Sequence, residues 1–129
     1  MSATKPKTDK ASQNSPDERL RALVPVIRLS IADPDHLHGS EFGRGVAKLC
    51  RGVKEKGSLN AAAKDMGMAY SKAWRIVRDT EAALGIKLLN REGAHGSTLT
   101  DECERLLRAF GDIEEKLQAS ATQEYLASL

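Results

Sequence analysis

A chain of 129 residues is long enough for one domain with a hydrophobic core and too short for two ordinary domains. Hydrophobic residues make up 40% of it but aromatic residues only 4%, so the core must be built mostly from aliphatic side chains. The longest apolar runs are far shorter than the roughly 20 residues that span a bilayer, and no signal-like segment opens the chain. These features predict a cytoplasmic protein with no membrane partner. Cys50 and Cys103 lack paired-ligand spacing, which favours reduced, buried thiols over a disulfide framework.

The charge is unevenly distributed along the chain. Residues 44–91 carry eleven Lys and Arg against four Asp and Glu, a net charge of +7. Residues 101–129 carry three against seven, a net charge of −4. A basic centre followed by an acidic end predicts one part that faces a polyanion and another that faces away from it, although ordinary surface charge would give a similar count.

The composition divides the chain into three parts. Residues 1–20 are polar and predict a disordered tail, because a segment with almost no large apolar residue cannot offset its ordering entropy. Residues 21–100 carry the patterns of a folded domain, and residues 101–129 those of a long helix.

A leading strand is predicted over residues 23–31. Polar and apolar residues alternate there with a period of two, and Pro25 restricts the strand to an edge or to a later start. A turn and loop follow. His36 and His38 lie in this loop and could form a metal or ligand-sensing pair, but no third ligand stands nearby.

Three helices are predicted next. The first begins at Glu41 or Gly43 and runs to about Lys56, followed by Gly57. Its buried stripe is Val46, Leu49, Cys50 and Val53. The second begins at Ser58 as its N-cap and ends at Gly67, and the third covers residues 70–84. A short helix, a glycine-containing turn and a longer helix predict a helix-turn-helix, the element that places its second helix in the major groove of DNA.

A hairpin and a long helix complete the domain. Strand 86–91, a glycine-bearing turn at 92–97 and a return at 98–100 predict a wing, an element that lies along the DNA backbone or reaches into the minor groove. A helix from 101 to about 119 follows, with apolar residues spaced three and four apart. These residues, predicted as a seam with a second copy, are Cys103, Leu106, Phe110, Ile113 and Leu117. The alternative is that they close the core of their own domain.

The third helix has one apolar and one polar, mostly basic face. Arg75 is the candidate for a bidentate contact with guanine, and Lys72 for a base edge or phosphate. Asp79 confines the reading surface to the first half of the helix, and Trp74 is interpreted as a core residue rather than a base stacker. The predicted DNA contacts are Ser58, Asn60, Lys64, Tyr70, Ser71, Lys72, Arg75, Arg78, Lys87, Arg91 and His95, with Lys48 and Lys54 as further phosphate contacts.

The run GSLNAAAKDMGMAYSKAWRIVRDTEAALGIKLLNREGAHGSTLT resembles the N-terminal winged-helix domain of the ModE family, the molybdate-responsive transcription regulators. It is more loosely similar to the DNA-binding domain of LysR-type regulators. The resemblance covers about residues 24–118 and includes the leading strand, the S-K-A-W of the third helix, and Leu99-Thr100. It implies DNA binding and dimerisation through the flanking helices. The wing is shorter than is typical of the family, and the molybdate-binding domains of full-length members are not present, so molybdate sensing is not implied.

The sequence therefore predicts a mainly α fold with a small β component: a winged helix-turn-helix with a leading strand and a long C-terminal dimerisation helix. The predicted function is that of a homodimeric, sequence-specific transcription regulator that binds double-stranded DNA, is not an enzyme and has no cofactor. An effector, either a small molecule or a protein, is left open. The alternatives are a winged-helix module that binds a protein, and a metal or redox sensor. The candidate sensor residues are His36, His38, His95, Cys50 and Cys103.

Overall fold

The computed structural model describes residues 15–37, 39–91 and 96–129. Within them lie α1 (Pro16–Arg21), α2 (Arg44–Lys56), α3 (Leu59–Asp65), α4 (Tyr70–Leu84), β1 (Leu89–Arg91), β2 (Ser97–Leu99) and α5 (Asp101–Ser128). The chain divides into two compact units, one of residues 28–114 and one of residues 1–27 with 115–129. No helix in the described part is long and apolar enough to cross a membrane.

Helix α1 corrects the prediction of a disordered tail for its last residues. Ser15 accepts the backbone N–H of Glu18, and the Glu18 carboxylate accepts the backbone N–H of Ser15, which together form a capping box. The ring of Pro16 restricts its backbone angle φ to a value that suits the first position of a helix. These local interactions stabilise one short helix in a polar segment. Residues 1–14 of the predicted tail lie outside the described residues.

The predicted leading strand is wrong. Ile31 makes a single antiparallel bridge with Phe42, and residues 23–30 form no strand. The Gln118 side chain donates to the carbonyl of Pro25 and accepts the N–H of Ile27 at 3.2 Å. These backbone groups are therefore bonded by a side chain instead of a neighbouring strand. The predicted alternation survives, because Ile27, Leu29 and Ile31 are half-buried while Val26, Arg28 and Ser30 are exposed.

Helix α2 supplies the largest share of the core. The buried residues of this helix are Val46, Ala47, Leu49, Cys50 and Val53, which include the whole predicted stripe. A Cβ on Gly52 would lie 2.7 Å from the Cβ of Ala62, so this glycine lets α2 and α3 pack closely. Phe42 and Phe110 meet edge to face with ring centroids 5.5 Å apart. Their contact fixes the start of α2 against α5 within the unit of residues 28–114.

The helix-turn-helix is confirmed. The Ser58 hydroxyl caps α3 by accepting the N–H of Ala61 at 3.0 Å. The helix ends in a Schellman motif: the N–H of Met68 bonds the carbonyl of Ala63, and Gly67 takes the left-handed conformation with φ 67°. Helix α4 then covers residues 70–84, as predicted, and Gly85 ends it.

The wing is a two-stranded antiparallel hairpin. Leu89 pairs with Leu99, and Arg91 with Ser97. The strands are shorter than predicted, and residues 92–95 of the turn lie outside the described residues. The N–H of Ser97 donates to the carbonyl of Gly57 at 3.0 Å, so β2 begins directly against the C-cap of α2.

Helix α5 corrects part of the predicted seam. Thr100 caps it by accepting the N–H of Cys103, and the helix extends past residue 119 to Ser128, within the long helix predicted for residues 101–129. Cys103 and Phe110 are fully buried in the core of their own chain, so they cannot contact a second copy. Leu106 also packs against that core. The core-closing alternative is therefore right for this end of the stripe.

Residues further along α5 differ from the buried ones. Ile113 is 40% exposed and Leu117 is 43% exposed. In the part of the chain that the structure describes, these two apolar side chains lie four residues apart on one helix and are exposed.

Candidate nucleic-acid interface

Helix α4 has one buried and one exposed face. Ala73, Val77 and Thr80 are buried, and the Thr80 hydroxyl is satisfied by donating to the carbonyl of Ile76 at 2.8 Å. The exposed residues are Tyr70, Ser71, Lys72, Arg75, Arg78, Asp79 and Ala82. The basic face predicted from the helical periodicity is thus confirmed as a surface.

The cations on this face are not neutralised by the carboxylates of the described residues. Among the described residues, Lys72, Arg75 and Arg78 form no ion pair with a carboxylate. Their charge is therefore available to a polyanion. Asp79 is the one acid on the same face, and it follows Arg78 directly.

The first helix of the motif places its predicted contacts at the surface. Asn60 and Lys64 are exposed on α3. Ser58 is half-buried, and its oxygen is occupied by capping α3, which leaves its hydroxyl proton as the group that can bind a phosphate. Lys87, between α4 and β1, is also exposed.

Some of the basic residues of α2 are paired with α5. The ammonium of Lys54 lies 2.8 Å from the Glu104 carboxylate, and Arg44 lies 3.5 Å from that of Glu114. Lys54, predicted as a phosphate contact, is therefore bound to a carboxylate of its own chain. Part of the acidic charge of α5 neutralises α2, while Lys48 stays exposed.

Trp74 connects α4 to the wing. The sequence interpretation of Trp74 as core is half right: the ring is half-buried and packs against the core. However, the guanidinium carbon of Arg91 lies 4.8 Å from the ring centroid, and that of Arg78 lies 5.9 Å from it. The Tyr70 ring meets the indole edge to face at 6.4 Å.

These residues line an open, solvent-accessible cavity of about 470 Å³. Its lining is Tyr70, Ser71, Trp74, Arg75, Arg78, Asp79 and Arg91. Five of the predicted DNA contacts therefore come together, whereas Asn60, Lys64 and Lys87 stand elsewhere on the surface. The contact between Arg91 and Trp74 was not predicted from the sequence. The signals for it were an aromatic residue at the border of the helix and an arginine in the first strand of the wing.

Glu81 is a second connection that sequence reasoning missed. Its carboxylate accepts the backbone N–H of Leu88 at 2.7 Å and that of Leu89 at 3.3 Å. The Thr100 hydroxyl donates to the carbonyl of Lys87 at 2.7 Å on the same segment. The root of the wing is therefore bonded to both α4 and the start of α5.

The sensor candidates are only partly brought together. The sulfur atoms of Cys50 and Cys103 lie 3.5 Å apart, and both thiols are free and buried, as predicted. The hydrogen bond between them and their burial raise the pKa of the Cys50 thiol far above its ordinary value. Across residues 15–37, 39–91 and 96–129, no three His, Cys, Asp or Glu side chains cluster as a metal site. His38 and His95, the latter also a predicted DNA contact, lie outside the described residues.

Comparison with known proteins agrees with this architecture. Residues 47–104 match the model of the bacterial regulatory helix-turn-helix proteins of the lysR family. The chain is 29% identical over 80 residues to the molybdenum-pterin-binding protein MopB of Rhodobacter capsulatus, which covers 59% of this chain and 30% of that protein. It is 38% identical over 71 residues to the HTH-type transcriptional regulator CrgA of Neisseria meningitidis, which covers 55% of this chain and 23% of that protein. The chain thus spans less than a third of the length of these curated relatives.

A solved structure supports the same assignment. The crystal structure of the complex between CbnR_DBD and DNA superposes with a TM-score of 0.54 at 29% identity, over 64% of this chain and 94% of that chain. The fold and the exposed basic helix define a winged helix-turn-helix DNA-binding domain. Residues 47–104 are similar to the helix-turn-helix domain of LysR-type regulators, and both resemblances stated from the sequence are confirmed.

Proposed function

We propose that the chain is a sequence-specific transcription regulator that binds double-stranded DNA as a homodimer, with α4 in the major groove. The observation that carries this proposal is the exposed face of α4, on which Lys72, Arg75 and Arg78 have no ion-pair partner among the described residues. The superposition on a DNA complex at 29% identity supports it.

The first two turns of α4 read the bases. Arg75 is exposed near the middle of the helix, and its planar guanidinium matches the two acceptors on the major-groove edge of guanine. Lys72 lies three residues earlier and reaches a base edge or a phosphate. Ser71 lies in the first turn, where free backbone N–H groups and the hydroxyl bind phosphate.

The surrounding cations position the helix along the backbone. Lys64 on α3 and Lys87 before the wing are exposed, as is Lys48 on α2. Contacts from these side chains to phosphates fix orientation and register without reading sequence. They also predict a steep loss of affinity with added salt, because each neutralised phosphate releases counterions.

The exposed apolar residues of α5 join two copies. Ile113 and Leu117 lie four residues apart on a 28-residue helix, which is the spacing of a helix–helix seam. A symmetric dimer presents two copies of α4 to half-sites about one helical turn of DNA apart.

Selection of bound sites from a random duplex library tests the proposal. We expect a palindromic motif with half-site centres about 10 base pairs apart, and binding that weakens steeply with salt in mobility-shift titrations. Enrichment of no motif would contradict sequence-specific reading. A single, non-repeated half-site would contradict the dimer.

A further inference from the structure

We propose that Trp74 is a positioning residue that holds Arg91, at the end of β1 in the wing, and Arg78, on α4, as a two-arginine clamp for one phosphate of the DNA backbone. This inference rests on the proposed function, because it names the part of the DNA that the cavity beside α4 takes. Trp74 acts through the arginines, and the arginines touch the phosphate.

The geometry places two cations from different elements on one indole. The guanidinium carbons of Arg91 and Arg78 lie 4.8 Å and 5.9 Å from the centroid of Trp74. Both distances fall within the roughly 6 Å over which a cation is attracted to an aromatic face. Without this ring, the side chains of Arg78 and Arg91, both exposed, would have many accessible rotamers.

A tryptophan at this position is explained better by the cations than by core packing. The indole N–H is shielded from solvent and has no hydrogen-bond partner in the described part of the chain. A buried donor without an acceptor is unfavourable, and a phenylalanine would fill the space without it. The indole, however, offers a guanidinium the most attractive aromatic face.

A phosphate is the anion that suits the pair. Two guanidinium groups near one ring repel each other, and neither pairs with a described carboxylate. Arginine forks match phosphate oxygens through two parallel hydrogen bonds, and Ser71, a residue with a hydroxyl donor, lines the same cavity. An unpaired base is a poorer occupant, because Arg91 already covers a face of the indole on which it would stack.

A backbone scan on the selected DNA site tests the clamp. Duplexes that carry one neutral methylphosphonate at each position in turn report which phosphate matters to the protein. We expect one position per half-site, at the edge of the major groove on the side of the wing, to weaken binding by about 5- to 30-fold. In Trp74→Leu the same substitution should have almost no effect, and the slope of log affinity against log salt should become shallower by about 1 for each clamp.

Two companion variants separate positioning from folding. Trp74→Phe keeps an aromatic face and should restore part of the response at that position. Arg91→Ala removes an exposed side chain, so it should fold and should abolish the response even where Trp74→Leu does not fold. Arg105→Ala, an exposed arginine on α5, is the matched control and should leave the whole pattern unchanged.

Three outcomes would overturn the clamp. In the first, folded Trp74→Leu or Arg91→Ala keeps the wild-type methylphosphonate pattern. In the second, single abasic substitutions show that Trp74→Leu loses a contact to a base while the phosphate pattern stands, which assigns the cavity to a base. In the third, the random library enriches no motif with the wild-type protein. That result would overturn the proposed function itself, whereas the first two would leave it intact.

Discussion

The carboxylate of Glu81 accepts the backbone N–H of Leu88 at 2.7 Å, and this bond ties the last turn of α4 to the root of the wing. The same oxygen also accepts the N–H of Leu89 at 3.3 Å. The backbone N–H groups of the residue before β1 and of its first residue are thus satisfied by one side chain from α4. The direction in which the wing leaves the helix depends on this residue.

Glu81→Ala should therefore destabilise the fold. Removal of the acceptor leaves two part-buried N–H groups without a partner, and we expect a loss of about 1.5–3 kcal/mol in the free energy of unfolding. Urea denaturation followed by far-UV circular dichroism measures it.

Glu81→Gln keeps one acceptor oxygen and should lose less stability than Glu81→Ala. Glu55→Ala removes an exposed carboxylate from α2 and should change stability by under about 0.5 kcal/mol. Equal effects of Glu81→Ala and Glu55→Ala would refute the role of the bond.

Two glycines of α2 should respond to alanine in opposite directions. A Cβ at Gly52 would lie 2.7 Å from the Cβ of Ala62, so Gly52→Ala should force α2 and α3 apart and destabilise by about 1–3 kcal/mol. A Cβ at Gly45 would meet nothing within 4 Å, so Gly45→Ala should stabilise by about 0.5–1 kcal/mol through the lower entropy of the unfolded chain. Both variants are compared with the wild type by thermal and urea unfolding. Two changes of the same sign would contradict the packing described for α2 and α3.

The sequence predicted best those parts of the fold whose ends are set by local signals, namely helix caps and glycines at helix ends. Gly57, Ser58, Gly67 and Gly85 each end or begin a helix through backbone angles or a cap that depend on a few neighbouring residues. The end of α4 at Gly85 could be predicted for this reason, whereas its start after Ala69 has no side-chain cap. The capping box at Ser15 was a signal of the same kind, but the polar composition of the segment concealed it.

What the sequence could not supply is the identity of distant partners. Residues 23–31 alternate like a strand, but a strand needs a neighbour, and the N–H of Ile27 is bonded by the side chain of Gln118. The spacing along α5 could not tell a seam from a core, since Phe110 faces Phe42 of its own chain and Leu117 is exposed. The same limit applied to the candidate site. The helical periodicity and the charges of residues 70–84 predicted the basic face of α4. They did not predict that Arg91 of the wing lies over Trp74.

The thiol of Cys50 should make stability depend on pH in the alkaline range. Its pKa is raised in the folded state by the hydrogen bond with Cys103 and by burial, while in the unfolded state it is close to about 8.5. Below that pH the thiol is protonated in both states, and its contribution to the free energy of unfolding is fully present. Above it the unfolded chain loses the proton first, so stability should fall by about 1.4 kcal/mol per pH unit.

Urea unfolding between pH 7 and 10, in the presence of a reductant, measures this dependence. Lysine and tyrosine side chains in general also titrate near the upper end of this pH range. The informative quantity is therefore the difference in the free energy of unfolding between the wild type and Cys50→Ala. We expect this difference to be constant up to about pH 8.5 and to shrink above it. Parallel curves across the whole range would show that Cys50 does not retain its proton on folding.

Arg75 should carry sequence preference, and Arg78 should not. Arg75→Ala should weaken binding to the selected site by about 1–3 kcal/mol and affect a scrambled duplex much less, because a lost base contact matters only where the base is present. Arg78→Ala should weaken binding to both duplexes by similar amounts, as expected for a phosphate contact. Mobility-shift titrations at one fixed salt concentration give the four affinities, with Arg105→Ala as the control. An equal loss on both duplexes for Arg75→Ala would make Arg75 a phosphate contact as well.

The exposed apolar residues of α5 should determine the oligomeric state. Ile113→Glu with Leu117→Glu places two carboxylates where a second helix would pack, and we expect monomers by light scattering with an unchanged far-UV spectrum. The matched control, Arg108→Glu with Ala119→Glu, adds two carboxylates at exposed positions on the other side of the same helix and should remain dimeric. The monomer keeps α4 intact, so it should still bind a half-site, but more weakly and without the preference for two half-sites one turn apart. A dimer that survives the double substitution would place the contact between copies on a different surface.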